Sequence, residues 1–440
     1  MSTVRDFYKD KNVLLTGGTG FLGKIITEKL LRCCQVGGIY LIVRAKKGLG
    51  PEERLKGLFE EPVFQKVKEM NPNYIKKIHT IEGDLSKNGL GITEEEKDLI
   101  KNVVNVVFHC GASLNMESKL HDAVRTNVKG TSELLDIMKD ARNLHAFVLV
   151  STAYSNCQHR FIEEKFYEAP IDPELLIKMT DQLKPHVLDS ISSGLIGAWP
   201  NSYVFSKAIA ENLLLIKGKG LPVGLFRPAI VTSTVSEPVP GWSDNLYGPL
   251  GILLSSHCGI LRVIRANGKI KSHTVPGDMC INSLLCLAWD VAQKWKNSSS
   301  SFVPPVLNYS AKNSKLLIPM KQYVDFTEIN YVPFKRAMWY QTLFLVKTQY
   351  NYLIVKFILH TVPAYLIDSM LRLSFRKPRN MLNGIKTYIL KEDMTKAKFH
   401  RQRYKRLTFI HYTFKYTLLC LTGYPVYKVM CKLLKKGNRR

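Results

Sequence analysis

The sequence predicts an α/β protein with a doubly wound parallel sheet, followed by a smaller, mainly helical C-terminal region. Two observations carry this expectation: a glycine-rich turn set between an apolar strand and a helix near the start, and short apolar runs that alternate with amphipathic stretches over most of the chain. A third sets its limit, because beyond about residue 325 the alternation gives way to aromatic and aliphatic residues mixed with lysine.

The first strand is Asn12-Val13-Leu14-Leu15, followed by the glycine-rich turn and a helix to about Cys33, and Ile39 to Val43 forms the next strand of one βαβ unit. Further strand-like runs lie at 78–81, 103–109, 146–151 and 222–231, with amphipathic helical stretches between them such as 117–140 and 203–216. Asn297 to Ser301 followed by Pro304 and Pro305 is the clearest loop signal, after which Val306 to Ser310 reads as a final strand. The boundary is placed near residue 325, giving a first domain over 1–325, substrate-binding part included, and a C-terminal region over 326–440.

A chain of 440 residues accommodates two such units, and an apolar fraction of 45% with mixed charge is that of a folded protein. Nine scattered cysteines without a C-x-x-C favour neither a zinc site nor a secreted disulfide framework, so no metal and a reducing compartment are expected. Met1 to Asp10 is charged and has no apolar run, which argues against a signal peptide and leaves the first domain in the cytosol. The net charge of +27 is uneven: residues 371–440 hold 19 Lys and Arg against 2 acids, +17 of the total. No recognition module accompanies these cations, so nucleic-acid binding is not expected. The two greasiest windows, 352–367 and 407–426, are interrupted by Lys356, His360 and Pro363 and by His411 and Lys415.

Gly17-Gly18-Thr19-Gly20-Phe21-Leu22-Gly23 contains both G-x-x-G-x-x-G and G-x-G-x-x-G between strand and helix, the Rossmann-type arrangement in which a pyrophosphate approaches backbone N–H groups at a helix N-terminus. Gly17, Thr19, Gly20, Phe21, Leu22 and Gly23 are therefore the expected dinucleotide contacts. An NAD site usually places a carboxylate about 20 residues further on, whereas here the second strand ends in Arg44 with Lys46 and Lys47 beyond. A guanidinium suits a 2′-phosphate and points to NADPH; the alternative is a solvated basic loop. In that case Asp84, at the end of the third strand, remains to meet the adenine edge; Leu85 beside it is also an expected cofactor contact.

Tyr and Lys four residues apart on a helix face the same way, so that the ammonium can lower the phenol's pKa and hold the nicotinamide ribose. Tyr203 and Lys207 have this spacing, as do Tyr331 and Lys335 and Tyr352 and Lys356; only Tyr203 opens a helix that follows a strand ending in hydroxyls, Val150-Ser151-Thr152. A hydroxyl there can hydrogen-bond a substrate carbonyl, and because successive residues of an extended strand point oppositely, one of Ser151 and Thr152 reaches it, with Thr152 preferred. Asn127 has two readings, a support for Lys207 through backbone or water, or a local packing residue.

Together these residues resemble the extended short-chain dehydrogenase/reductase superfamily, and more narrowly its alcohol-forming fatty acyl-CoA reductases. The similar segments are Leu15 to Lys24, Ile39 to Gly48, Asn127 to Thr131, Val150 to Asn156, Pro200 to Glu211, Leu221 to Val231 and Glu237 to Gly251, the last containing Trp242. The resemblance implies NADPH-dependent reduction of a long-chain fatty acyl-CoA, through the aldehyde, to a primary alcohol with release of CoA. It also implies a Glu237–Gly251 loop near the acyl channel. Trp339-Tyr340, His360, Pro363-Ala364, Asp368 and Gly384 to Glu392 are similar to the family's C-terminal domain. The chain departs from the family pattern at His109 to Asn115 and in having few residues between Asp368 and Gly384, which leaves a catalytically impaired NADPH- and lipid-binding relative as an alternative beside another extended short-chain dehydrogenase.

Each buried methylene of an acyl chain favours burial by about 0.8 kcal/mol, so the substrate is expected at a lipid surface. The basic, aromatic C-terminal region fits an anionic leaflet, lying on it or crossing it at 407–426, with a solvated basic tail as the plain alternative. The expected location is the endoplasmic reticulum membrane, with the peroxisome as the alternative; Gly-Asn-Arg-Arg at the end is not a peroxisomal tripeptide. A homodimer is compatible with all of this.

Overall fold

Long apolar runs that lack alternation are the mark of strands buried on both faces, and they are what form the centre of the molecule. In the computed structural model, which describes residues 3–365 apart from 47, 299–301, 312–316, 330–336 and 338, seven parallel strands make one sheet. They are β1 (Asn12–Thr16), β2 (Gly38–Val43), β3 (Ile78–Glu82), β4 (Val106–His109), β5 (Ala146–Val150), β6 (Val223–Pro228) and β7 (Val306–Tyr309), in the order β7-β6-β5-β4-β1-β2-β3. Each strand-like run of the sequence contributes a strand to this sheet, the final one at Val306 included, but the run 222–231 is divided, since Ile230–Thr232 leaves the sheet and pairs in parallel with Thr274–Pro276.

Side-chain alternation sends neighbouring residues of each strand to opposite faces. Leu15, Phe108, Val148 and Phe226 join one buried cluster with Ile26 and Leu30 of the helix Phe21–Cys33 and Leu284 and Ala288 of the helix Gly277–Asn297. Leu14, Val107, Phe147 and Leu225 join the other, with Leu134 and Leu135 of the helix Gly130–Lys139 and Ala210 and Leu214 of the helix Ser202–Lys217. Chain direction across the sheet reverses between β1 and β4, so the C-terminal ends of these two strands flank a crevice, the place where open α/β sheets bind ligands.

The stretch 117–140 is helical but not uniform. Leu120–Val124 is α-helical, Arg125–Lys129 is a π turn, and Gly130–Lys139 continues as α-helix. One-turn π segments are concentrated at functional positions, and this one carries Asn127.

The chain divides into two compact units, residues 1–244 with 274–311, and residues 245–273 with 312–440. This differs from a single cut near 325. Residues 245–273 belong to the second unit because Val263–Arg265 pairs in parallel with Phe344–Val346, a long-range pairing that local composition does not announce. The described part of the second unit also holds the helices Pro249–His257, Met320–Ile329 and Gln349–Lys356, the last followed by a π turn, Phe357–Thr361. Among the described residues no helix is long and apolar enough to cross a membrane. The stretch 371–440, with the window 407–426 and Gly384 to Glu392, and the pair Tyr331 and Lys335 lie outside the described residues.

Candidate active site

The turn after β1 is shaped for close approach. Gly17 has φ +73°, and a Cβ there would sit 2.7 Å from the Gly111 nitrogen, so only glycine fits. A Cβ on Gly23 would run into the Gly17 carbonyl, which explains the third glycine as the contact between helix and loop. Gly20 is the N-cap of the helix Phe21–Cys33 and offers no side-chain cap, so the first-turn N–H groups, those of Phe21 and Leu22 among them, carry the positive end of the helix dipole toward the crevice. A Cβ at Gly20 would meet only the Gly17 carbonyl, at 3.3 Å, which leaves its outer side open to a ligand. These residues suit a pyrophosphate.

At the neighbouring strand end Arg44 is half exposed and lies 3.8 Å from Asp84. A second guanidinium, that of Arg54 from the helix Pro51–Phe59, donates to the Arg44 carbonyl and, at 3.1 Å, to the Thr19 hydroxyl. Burial and the charge of Arg44 both lower the pKa of Arg54, the signature of two cations held side by side. Burial alone would raise the Asp84 carboxyl, but the Ser86 amide and hydroxyl, at 2.9 and 2.8 Å, and Arg44 outweigh it and hold the group below its ordinary value. Leu85 packs where a Cβ on Gly111 or Gly130 would otherwise be. Arg54 was not among the residues singled out from sequence; nothing local marks it.

Tyr203 and Lys207 lie one turn apart on the helix Ser202–Lys217, whose N-cap is Asn201, accepting from the Val204 N–H at 3.0 Å. The expectation that the ammonium lowers the phenol's pKa is not met. Lys207 donates to the Val150 carbonyl at 2.7 Å, and burial pushes the Tyr203 phenol up to about 12. Burial pulls Lys207 down to about 8, against the opposing charges of Glu211 and Cys110. The direct hydrogen bonds of Asn127 go to Ser113 and Ser206. Its Oδ1 accepts from the Ser113 N–H at 2.7 Å and its Nδ2 donates to the Ser113 carbonyl at 3.2 Å and to the Ser206 hydroxyl at 2.9 Å; Ser206 in turn donates to the Tyr203 carbonyl at 2.8 Å. Asn127 therefore fastens the loop after β4 to the catalytic helix through Ser206.

Ser151 and Thr152 are separated by their partners. The Ser151 hydroxyl donates to Glu211, which also accepts from Asn156 at 3.0 Å and forms a fully buried ion pair with Arg227 at 2.7 Å. Arg227 spends its other donors on the carbonyls of Glu163 and Lys165, at 3.1 and 3.0 Å. The Thr152 hydroxyl accepts only a long bond, 3.3 Å, from the Tyr154 N–H, so it retains its own proton to offer. Glu211 was missed as a site residue, although its spacing of four from Lys207 and eight from Tyr203 puts all three on one side of the helix.

His109, at the end of β4, is buried between two hydroxyls, with Nδ1 2.7 Å from Thr16 Oγ1 and Nε2 2.9 Å from Thr131 Oγ1. Thr131 donates its own proton to the Asn127 carbonyl at 2.7 Å, so it accepts from Nε2–H, and Nδ1 accepts from Thr16. Burial and Lys207 pull the imidazole down to about 3, which keeps it neutral. Burial pushes the adjacent Cys110 thiol up to about 12.

The loop carrying Trp242 is anchored on the cofactor helix. The Trp242 and Phe21 rings stack at 5.5 Å and 17°, Lys24 pairs with Glu61 and Asp244 at 2.6 and 2.7 Å, and Glu237 pairs with Lys29 and, at 2.8 Å, with Arg32. Asp278 accepts from the N–H groups of Val235, Ser236 and Glu237, fixing the base of the loop.

A family model described as "Male sterility protein", an NAD-binding domain, matches residues 15–284. The chain is 41% identical over 382 residues to the fatty acyl-CoA reductase wat of Drosophila melanogaster, covering 86% of this chain and 73% of that protein. Against human fatty acyl-CoA reductase 2 the identity is 31% over 481 residues, covering 96% of this chain and 93% of the relative. Among solved structures, the reductase domain of a non-ribosomal peptide synthetase from Mycobacterium tuberculosis aligns with a TM-score of 0.54 at 20% identity, over 78% of this chain and 74% of that one. The terminal R domain of the myxalamid pathway aligns with a TM-score of 0.52 at 20% identity, over 77% and 72%. At that identity these two show a shared fold.

Removing one member of a buried ion pair leaves the other uncompensated. Arg227→Met is expected to lose about 3–5 kcal/mol of stability in urea denaturation, and the double variant Glu211→Met/Arg227→Met to regain most of it. Single and double variants of equal stability would show that the pair is not what holds this corner of the fold.

Proposed function

The chain belongs to the fatty acyl-CoA reductase family, and we propose that it uses NADPH and meets a long-chain acyl substrate at a membrane surface. Like its relatives it is an oxidoreductase that reduces fatty acyl-CoA to the primary fatty alcohol. The observation that carries the assignment of roles is the pairing of Tyr203 and Lys207 on one helix beside the strand end whose Val150 carbonyl receives the ammonium and whose Thr152 hydroxyl keeps its proton. A reduced dinucleotide held there would supply one hydride per molecule, so two would be used in turn, the first for the thioester carbonyl, with CoA leaving, and the second for the aldehyde.

The protein's own residues do the rest. Tyr203 and Thr152 donate to the carbonyl oxygen as charge develops on it. The phenol, a weak acid at about 12, stays protonated until that charge draws on it. Lys207 holds its position through Val150 and supplies the nearby positive charge. Ser151 is committed to Glu211 and serves to place Thr152 beside it.

The case for NADPH rests on Arg44 and Arg54. Two neighbouring guanidiniums repel each other, and a 2′-phosphate set against them relieves that repulsion and gains charge-assisted hydrogen bonds. The case for a lipid surface rests on the substrate's chain and on the +17 carried by residues 371–440.

Expression in a host lacking fatty alcohols, with lipid extraction and gas chromatography, tests the reaction. Wild type is expected to yield alcohols whose lengths name the substrate, whereas Tyr203→Phe yields none while binding NADPH as tightly. Alcohol from the Phe variant would remove Tyr203 from its role, and none from wild type would favour the impaired relative. Arg54→Ser is expected to raise KM for NADPH about tenfold or more, the loss of a charged hydrogen bond, and to leave KM for NADH unchanged; equal effects on both cofactors would argue against 2′-phosphate recognition. With Lys207 at about 8, kcat/KM is expected to be sustained below that pH, where the ammonium is charged, and to fall as pH rises through it. A profile flat to well above 8 would exclude Lys207 as the titrating group.

A further inference from the structure

The helical stretch 349–365 of the second unit is apolar on two sides. Its inner side is accounted for: Val355 is buried, and Tyr352 and Leu359 pack with it against Val263 and Val346 of the two-stranded pair. Its outer side is not. Tyr350, Leu353, Ile354, Phe357, Ile358 and Val362 all stand exposed, at spacings of three and four residues, with Tyr350 at 75% and Phe357 at 58%. Tyr365 closes the row at 71%. A surface helix of a water-facing protein carries polar residues there, and a continuous exposed apolar stripe of this kind marks an interaction surface.

What the stripe meets is indicated by charge. From Ile329 to Ile367 the sequence has no Asp or Glu and four cations, Lys335, Arg336, Lys347 and Lys356, and after one acid, Asp368, come the +17 of residues 371–440. A second copy of the same stripe would bring like charges together, whereas an anionic lipid surface matches them. The Lys356 ammonium lies 5.9 Å from the ring of Tyr352, a residue of the inner side, so its charge is directed away from the exposed row. Tyrosines at the two ends suit the headgroup level, where an aromatic body and a polar tip are both satisfied. The window is too interrupted to span a bilayer, yet its interruptions, Lys356 and His360, lie off the outer row. His360 accepts instead from the Arg262 N–H at 3.3 Å.

We propose that residues 349–365 lie flat in the interface of an anionic membrane, with the row from Tyr350 to Tyr365 inserted among the lipids and the opposite side held by the second unit. The proposal deepens the membrane reading given above and rests on it for its purpose, delivery of an acyl chain, but not for its geometry.

The test uses the full chain with vesicles of phosphatidylcholine alone and of phosphatidylcholine mixed with phosphatidylserine. Leu353→Asp/Phe357→Asp changes two exposed residues; its melting temperature and its turnover of a water-soluble octanoyl-CoA without vesicles are expected to match wild type. Its binding to the mixed vesicles is expected to drop on the order of a hundredfold, the loss of two inserted apolar side chains with two anions added, and its turnover of vesicle-borne palmitoyl-CoA to fall with it. In a separate variant, Phe357→Trp, fluorescence is expected to be quenched by brominated phosphatidylcholine beyond the wild-type background. Vesicle binding equal to wild type in the double variant, or no added quenching in Phe357→Trp, overturns the proposal and leaves attraction to the basic residues alone. Dissociation of a dimer by the double variant overturns it in favour of contact between copies. If no acyl-CoA is reduced by any form, the functional reading fails, while flotation and quenching still decide the membrane surface.

Discussion

A carboxylate and a guanidinium taken wholly out of water hold the catalytic corner together. The Glu211–Arg227 pair cannot be tolerated unless nearly every lone pair and donor is satisfied, and the requirement recruits Ser151, Asn156 and the carbonyls of Glu163 and Lys165. Those partners come from the end of β5, the catalytic helix, β6 and the loop between 156 and 166, elements far apart in the chain. Once they are joined, the Ser151 hydroxyl is committed to Glu211 while that of Thr152 is not, and Lys207, one turn before Glu211, reaches the Val150 carbonyl. The reactive groups are thus placed by a cluster that takes no part in the chemistry.

A second chain of hydrogen bonds performs the same service on the cofactor side. From the Gly111 N–H it runs through Thr16, His109 and Thr131 to the Asn127 carbonyl, and from the Asn127 amide through Ser206 to Tyr203. Because burial and Lys207 hold the His109 imidazole far below its ordinary value, it is neutral near neutral pH and every proton in the chain keeps one direction there. Glycine loop and catalytic helix are held in mutual register by uncharged groups, which do not reorganise when charge appears nearby.

What could be read from the residues alone followed from how local the constraint was. The glycines and the Tyr203–Lys207 spacing announce themselves within two helical turns, and the strands announce themselves by unbroken apolar runs, so the sheet and the core of the site were legible. Arg54 was not, since its meaning arises only when its helix folds back on Arg44 and Thr19. Ser206 lay inside the motif unnoticed because a mid-helix serine ordinarily satisfies itself on its own backbone, which it does here while also accepting from Asn127. The expected effect of Lys207 on Tyr203 failed for a related reason: helical spacing says which side an ammonium leaves from, not which carbonyl captures it. The window 352–367 shows the opposite case. It fails every criterion for a span when counted along the chain, and its organisation emerges only when the residues are sorted by the side of the helix on which they stand.

The π turn at Arg125–Lys129 has a consequence for how such a protein can change over evolutionary time. It holds one residue more than a regular helix would, and deleting that residue would restore ordinary geometry locally at small cost. Because the wide turn absorbs its extra residue without turning the chain further, the helix beyond it would keep its register, and Leu134, Leu135 and Met138 would stay in the core. The change would fall instead on the turn itself and on the bonds that Asn127 makes from it to Ser113 and Ser206. A single-residue deletion here is therefore a small step for the packing and a large one for the site, so the extra residue serves the placing of Asn127 and not the stability of the helix that follows.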